Sequence, residues 1–313
     1  SPLLPEGKQT VLPAEDGVPE PTTELAAYWQ QRHETALKNA DMQALLMDRL
    51  KNFRLSATHI SDFLDFMHCG PQSFFLLRIL NFPQAPRPDL QYGNAMHETL
   101  EWIHTYAKLN GRLPTLDAAH QTLAQRLETK RLTELDFRLF LERGKDALAA
   151  YLEQRAHTIA PENIVEYSFR NEGVFIGDAH LGGKIDKLIV NRQTKEITIV
   201  DYKTGRSHTR WLREYNLHKN RQQLYFYKAL VEGSHTFAGY KVVDAYLEFV
   251  EPDEHGKIQE LHLDFKEEEY QHVRKLAEAI WHRIMTLDLP DTTIYTQDLK
   301  GIEAFEQDLV QNS

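Results

Sequence analysis

One stretch decides the fold: Gly183-Lys184-Ile185-Asp186, then Ile197-Thr198-Ile199-Val200-Asp201-Tyr202-Lys203-Thr204-Gly205. The apolar runs Leu181 to Val190 and Glu196 to Lys203 predict two strands, joined by the turn Asn191-Arg192-Gln193-Thr194. Successive strand side chains point to opposite faces, so Asp201 and Lys203 share one. A carboxylate and an ammonium at the end of an apolar strand are costly unless paired or bound to a ligand. Asp186, one strand earlier, is expected across the hairpin from Asp201. Two carboxylates brought together repel each other unless a divalent cation lies between them. Hard oxygen donors suit Mg²⁺ or Mn²⁺. Lys203 then orients a water or steadies the negative charge of a phosphorane-like transition state. The plain alternative is a surface Asp–Lys pair at a hairpin end, which stabilises little.

Two helices flank this stretch. Gly93 to Leu109 reads as an amphipathic helix stopped by Asn110-Gly111, and His97, Glu101 and His104 share one of its faces. A neutral imidazole at His97 completes a metal site with Asp186 and Asp201; the alternative is a half-buried helix histidine. His104 reads as structural. A zinc-protease reading fails, because that pattern needs a second histidine where the chain has Glu101. A helix over Leu217 to Glu232 carries Arg221-Gln222-Gln223-Leu224-Tyr225-Phe226-Tyr227. Gln223 and Tyr227 are i, i+4 neighbours, and an amide there can hydrogen-bond a bound water or a phosphate. Leu224 reads as core.

Between the Asp-Tyr-Lys strand and that helix lie Arg206, Arg210, Trp211, Arg213, Tyr215, Lys219 and Arg221, with Glu214 the one acid from Arg206 to Arg221. Basic residues interleaved with aromatic ones suit a strand offering phosphates and unstacked bases, and this strip is the expected nucleic-acid-binding segment, with nothing in it that selects DNA over RNA. The alternative is a solvated basic loop with Trp211 packed inward. The strip stands out because the 313-residue chain is acidic, with a formal net charge of −10. Residues 1–50 hold four basic and eight acidic groups and residues 251–313 hold six and fifteen, so the block between them is net basic. That balance argues against a general nucleic-acid coat but leaves room for a local phosphate site, since fields act over about 8 Å in physiological salt.

The rest of the chain predicts an α/β core with helical additions on its N-terminal side. Residues 1–22, with Pro2, Pro5, Pro13, Pro19 and Pro21, read as an extended linker or tail, and residues 23–54 as a helical segment with a helix from Glu24 to about Leu50. The main domain is expected over 55–313. Ser56 or Thr58 caps a helix carrying Ile60, Phe63, Leu64, Phe66 and Met67, broken at Gly70-Pro71. Phe74 to Leu80 reads as a short helix, 81–92 as a proline-rich loop, and about 116–130 and 133–157 as two more helices. Ile164 to Phe169 reads as a strand, Val242 to Val250 with Ile258 to Phe265 as a hairpin, and Phe265 to Leu287 as the closing helix. The longest apolar run, Ala147 to Leu152, is far short of the roughly 18 residues needed to cross a bilayer. The N-terminus has no signal-peptide pattern, and one cysteine, Cys69, excludes an internal disulfide, so a cytoplasmic setting is expected. A chain opening on Ser1 suggests a piece of a longer protein.

Taken in order, Gly-Lys-Ile-Asp, a strand, Asp-Tyr-Lys-Thr-Gly and Gln-x-x-x-Tyr resemble the PD-(D/E)XK nuclease superfamily, and within it the RecB-like and AddB-like branch. The resemblance covers about residues 55–250. It implies a restriction-endonuclease-like core, a mixed sheet flanked by helices, and Mg²⁺- or Mn²⁺-dependent hydrolysis of DNA phosphodiesters. His97 matches the family's helix histidine, Asp186 the first metal-binding aspartate, and Asp201 and Lys203 the acid and lysine of D-x-K. Gln223 and Tyr227 match its Q-x-x-x-Y motif, the Tyr202 carbonyl is a further oxygen ligand, and Glu166 sits where the family often carries an acid. Ser56-Ala57-Thr58 and Cys69-Gly70-Pro71-Gln72-Ser73-Phe74-Phe75 resemble segments that open such domains. Several relatives hold an iron–sulfur cluster with four cysteines; with Cys69 alone, no such cluster is expected within this chain. Such domains often sit at the C-terminus of UvrD-like helicases, which implies a helicase domain or subunit as partner, a role in DNA repair or recombination, and an exonuclease. No G-x-x-x-x-G-K-[S/T] motif is present, so unwinding would come from elsewhere. The rival readings are an inactive nuclease-fold module that binds DNA or scaffolds a helicase, and a metalloenzyme with another substrate.

Overall fold

The computed structural model describes the backbone of residues 39–312 and the side chains of residues 43–312. The chain divides into Ser1–Leu45 and Leu46–Ser313, and the architecture below belongs to the second unit. The expected linker over 1–22 and most of the expected first helix lie outside the described residues; the helix is described as α1, Asn39–Lys51.

Ser56 caps α2 (Ala57–Leu64) by accepting from the His59 backbone N–H, and the His59 ring answers the Ser56 N–H. The helix stops at Leu64, short of the expected Met67. Gly70-Pro71 breaks the chain as expected but also opens α3 (Gly70–Phe74), which runs into a π turn at Phe75–Ile79. The expected loop over 81–92 is shorter, because Pro88 is the first residue of α4 (Pro88–Asn110), where its missing N–H costs nothing. Thr115 and Thr133 cap α5 (Leu116–Glu128) and α6 (Glu134–Arg155).

The sheet comes next. It is built from β1 (Ile164–Ser168), β4 (Lys184–Asn191), β5 (Glu196–Lys203), β6 (Lys241–Phe249) and β7 (Glu260–His262), side by side in that order. β1, β4 and β5 are antiparallel, β5 and β6 are parallel, and β7 returns antiparallel. The parallel pair needs a crossover, which α7 (Tyr215–Gly233) supplies. β2 (Val174–Ile176) and β3 (Ala179–Leu181) form a hairpin apart from the main sheet. Its signal was Gly177-Asp178 between two short apolar runs, and Gly177 takes a φ of +53° in the turn. After α8 (Glu267–Thr286) the chain adds α9 (Leu299–Gln311), so the expected closing helix is not the last. Ile302, Phe305 and Leu309 bury one stripe of α9, and Asp298 caps it.

Helices α4, α5 and α6 pack through Met96, Leu100, Ile103, Leu123 and Tyr151 onto Val200 and Tyr202 of β5 and Tyr246 of β6. Alternation along β5 then turns Asp201 and Lys203 to the opposite face, toward α7. Under the helices lies a buried polar layer. Lys187 and Glu248 are fully buried and 2.8 Å apart, and Arg155 Nε donates to the other Glu248 oxygen. Breaking such a pair leaves one charge uncompensated and costs about 3–5 kcal/mol. Beside it, the Tyr202 hydroxyl and His104 Nε2 share a hydrogen bond of 3.0 Å, and the Tyr151 hydroxyl points at Tyr202 at 3.5 Å.

This layer sets an acid sensitivity. Burial, then the Lys187 charge, lower the His104 pKa to about 4 from an ordinary 6.5. The unfolded chain therefore takes up a proton that the folded chain refuses. The sign follows: stability falls as pH drops below about 6.5 and bottoms out near 4, a loss of about 3 kcal/mol from this group. H104Q keeps an acceptor for Tyr202 and does not titrate. Urea melts from pH 7 to 4 should show the wild type losing about 3 kcal/mol more than H104Q; equal losses would contradict the reading.

Candidate active site

The site forms where β4 and β5 part. Their ladder runs from Asn191↔Glu196 to Lys187↔Val200. One step further, the Tyr202 N–H donates to the Asp186 carboxylate, Oδ2, at 2.7 Å. That bond fixes the carboxylate and turns Oδ1 toward α4, where His97 Nδ1 lies 3.2 Å away. α4 runs close to the end of β5 here: a Cβ on Gly93 would sit 3.3 Å from Thr204 Oγ1, tighter than usual. From β1, Glu166 adds a carboxylate 4.0 Å from His97 Nδ1, with the Lys184 ammonium against its other oxygen. Glu166 has a φ of +51°, a left-handed backbone rare for a side chain of this size and a typical store of strain at functional sites.

Asp201 is buried on the same side of the sheet. Lys203 Nζ lies 2.7 Å from Asp201 Oδ2 and donates to Gln223 Oε1 at 2.9 Å. Gln223 Nε2 donates to Asp201 Oδ1 at 3.0 Å and to the Tyr227 hydroxyl at 2.6 Å. The amide orientation follows from chemistry, since an ammonium only donates and a carboxylate only accepts. Asp201, Lys203, Gln223 and Tyr227 thus form one chain of contacts between β5 and α7. The Tyr202 ring faces away, into the layer around His104 and Tyr151.

The electrostatics are those of crowded acids. Burial raises the Asp201 pKa, Lys203 opposes that, and the Asp186 charge adds to it; the net effect is upward. Burial also pushes Asp186 up, but the charge and hydrogen bond of His97 and the Tyr202 N–H outweigh it, and Asp186 lies below its ordinary value. Burial pulls His97 down, yet Asp186, Asp201 and Glu166 lift it to about 9. Glu166 is raised by burial, with Lys184 opposing. A protonated His97 is the cation that these acids gather around.

Would a metal ion fit the same donors? Among the described residues, one ligand atom each from His97, Glu166 and Asp186 lie within 4.8 Å of one another, the one such group of three or more His, Cys, Asp or Glu residues. Asp201 is outside that group. Its Oδ2 is buried and accepts no hydrogen bond despite the nearby ammonium. Oxygen donors with one imidazole suit Mg²⁺ or Mn²⁺. The donors present therefore fit a divalent cation. Glu166 entered the sequence reading only through the family resemblance; its own signal was an acid inside an otherwise apolar strand.

The PD-(D/E)XK nuclease superfamily model matches residues 54–302. The chain belongs to this superfamily. A crystal structure from Eubacterium rectale, named "Putative exonuclease", superposes with a TM-score of 0.50 at 12% identity, covering 77% of this chain and 84% of that one. At that identity the likeness shows the fold, which is the mixed sheet flanked by helices expected from the sequence. No curated protein matches the chain.

The basic strip is less uniform than its sequence suggests. Arg213 is paired with Glu303. Arg221 lies 3.7 Å from Glu269 and over the Trp211 ring, whose Nε1 donates to the His262 carbonyl. Lys219 sits over the Tyr215 ring. Arg206 and Arg210 line a pocket of about 640 Å³ that also holds Glu251, Asp253 and Glu254.

Asp201 gives the cleanest test of the crowding. Its raised pKa means that ionising it costs the folded protein stability at pH 8. D201N keeps the acceptor for Gln223 and removes the charge. Thermal melts in EDTA at pH 8 should place D201N at or above the wild type, and millimolar Mn²⁺ should raise the wild-type Tm but not that of D201N. A D201N melt clearly below the wild type would show that the charge stabilises the site.

Proposed function

We propose that this nuclease-superfamily chain is a Mg²⁺- or Mn²⁺-dependent deoxyribonuclease that hydrolyses phosphodiester bonds. The observation that carries this is the convergence of His97, Glu166 and Asp186 beside the joined set of Asp201, Lys203 and Gln223. His97, Asp186 and Asp201, with Glu166 and the Tyr202 carbonyl, would hold the ion. The ion would make water a nucleophile near neutral pH and offset charge on the reacting phosphate.

The protein's own groups do the positioning. The Asp186 carboxylate is held by the Tyr202 N–H, so it meets a ligand without reorganising. Lys203, partly exposed and gripped by Asp201 and Gln223, presents its ammonium to the charge that builds on the phosphate in the transition state. Gln223, backed by the Tyr227 hydroxyl, fixes both Asp201 and Lys203. Tyr227 acts through Gln223 and is a positioning residue.

Within the superfamily we read the chain as RecB-like or AddB-like, an exonuclease working beside a helicase domain or subunit in DNA repair or recombination. The order of motifs supports the branch, and the Eubacterium rectale neighbour's name agrees with exonuclease action. End-labelled single- and double-stranded DNA, incubated with Mn²⁺ or with EDTA, tests the activity. Products should appear only with the metal, and end-first shortening would separate an exonuclease from an endonuclease. No cleavage in Mn²⁺ would overturn the reading.

Lys203 separates chemistry from binding. K203A should lose about 10²–10³ in cleavage rate, as for removal of one transition-state donor, while keeping the Mn²⁺-induced rise in Tm. Activity within a few-fold of wild type would remove Lys203 from the mechanism.

A further inference from the structure

A groove of about 830 Å³ adjoins the site, lined by the start of α2, the turns around Arg54 and Arg78, the end of β1 and the start of β4. Its cations are Arg49, Arg54, Arg78, Arg170 and Lys184, against a single lining carboxylate, Asp48. They come from segments far apart in sequence, which is why no basic run marks them. Gly183, Lys184 and Tyr227 form its inner end. Tyr227 accepts from Gln223, and Lys184 touches Glu166, so the groove opens directly onto the candidate metal donors.

The charges are unevenly satisfied. Arg78 is paired with Asp62 at 2.6 Å, and Lys184 with Glu166. Among the described residues, the Arg49 guanidinium meets the Ile79 carbonyl, and that of Arg54 the Lys51 and Phe53 carbonyls. No acid pairs with Arg54 or Arg170 among the described residues. Gly182 lets Arg54 press close, since a Cβ there would be 3.0 Å from Arg54 Cβ and 3.8 Å from Arg170 Cα. Burial and then the Arg170 charge lower the Arg54 pKa, the mark of two cations facing one space. Like charges held together without a counter-ion favour an anionic ligand. Ser56, Ala57 and Thr58, at the amino end of α2, add partial positive charge to the same wall.

We propose that this groove, rather than the Arg206–Arg221 strip, holds the phosphate backbone of the substrate strand and feeds it to the site. The inference rests on the nuclease reading and adds the path of the substrate. The occupant is single-stranded DNA. The volume is that of a site for a small ligand, about 300–1,000 Å³, room for a few nucleotides of one strand. Phe53, stacked on His59 with ring centroids 4.9 Å apart, supplies an aromatic wall.

The test is metal-free binding of a fluorescein-labelled 20-nucleotide single strand, followed by anisotropy across a salt series. R54E/R170E should bind at least tenfold more weakly than wild type, and its log K against log salt should be shallower by up to about 1.4, about 0.7 for each lost phosphate contact. R54K/R170K should recover most of the affinity. R131E/R138E, an equal change of net charge at the α5–α6 turn and the start of α6, should bind like wild type. Circular dichroism checks each fold, and R54Q/R170Q replaces any reversal variant that fails to fold. Wild-type affinity and slope in R54E/R170E overturns the groove, as does equal weakening in R131E/R138E or tighter binding of duplex than of single strand. The nuclease reading is tested apart, by wild-type hydrolysis of bis-p-nitrophenyl phosphate in Mn²⁺. Hydrolysis with unaffected R54E/R170E binding sinks only the groove; the converse sinks only the nuclease reading.

Discussion

The site depends on one hydrogen bond, from the Tyr202 N–H to the Asp186 carboxylate. It replaces a rung of the β4–β5 ladder at the point where the two strands part. A backbone donor buried there needs a partner, and a carboxylate takes the role that a strand carbonyl would have had. The consequence is a fixed acid at the mouth of a cleft. His97 on α4 and Glu166 on β1 then approach the same carboxylate, and the outcome is a concentration of negative charge that the protein alone balances with a proton on His97 and the ammoniums of Lys184 and Lys203.

The other face of the sheet keeps that arrangement in place. Tyr202 separates Asp201 from Lys203 and sends its ring the opposite way, into contact with His104, Tyr151 and the Lys187 ammonium. Lys187, next to Asp186 in the chain, is likewise anchored on that face by Glu248. Each site residue on β4 and β5 therefore has a neighbour locked into a buried polar layer. A one-residue slip of either strand would exchange the acids with these buried groups, so the register is strongly specified.

Much of this was legible in the sequence because it is local. Alternation placed Asp201 and Lys203 together, and helical spacing placed Gln223 under Tyr227. The β5 boundaries follow from one apolar run closed by Lys203-Thr204-Gly205. The β2–β3 hairpin and α9 carry weaker local signals, Gly177-Asp178 in the turn and the stripe Ile302, Phe305 and Leu309. The partners of Lys187 and the cations of the groove are of another kind. Lys187 and Glu248 are brought together by the sheet, and Arg54 and Arg170 by the bridge of Leu55 to Leu181 at the end of β3. No spacing within one segment encodes such pairs. The Arg206–Arg221 strip shows the reverse case: a run that looks basic in one dimension is partly neutralised by Glu269 and Glu303 in three.

The central claim is that these acids and His97 form a divalent-cation site. Anomalous scattering from crystals grown with MnCl₂ tests it most directly, because it locates the ion without reference to activity. The account predicts a manganese peak bounded by His97, Glu166, Asp186 and Asp201, with ligand distances of roughly 2.0–2.6 Å, the range for hard cations of this class. A fully occupied peak elsewhere, with none between His97 and Asp186, would contradict it.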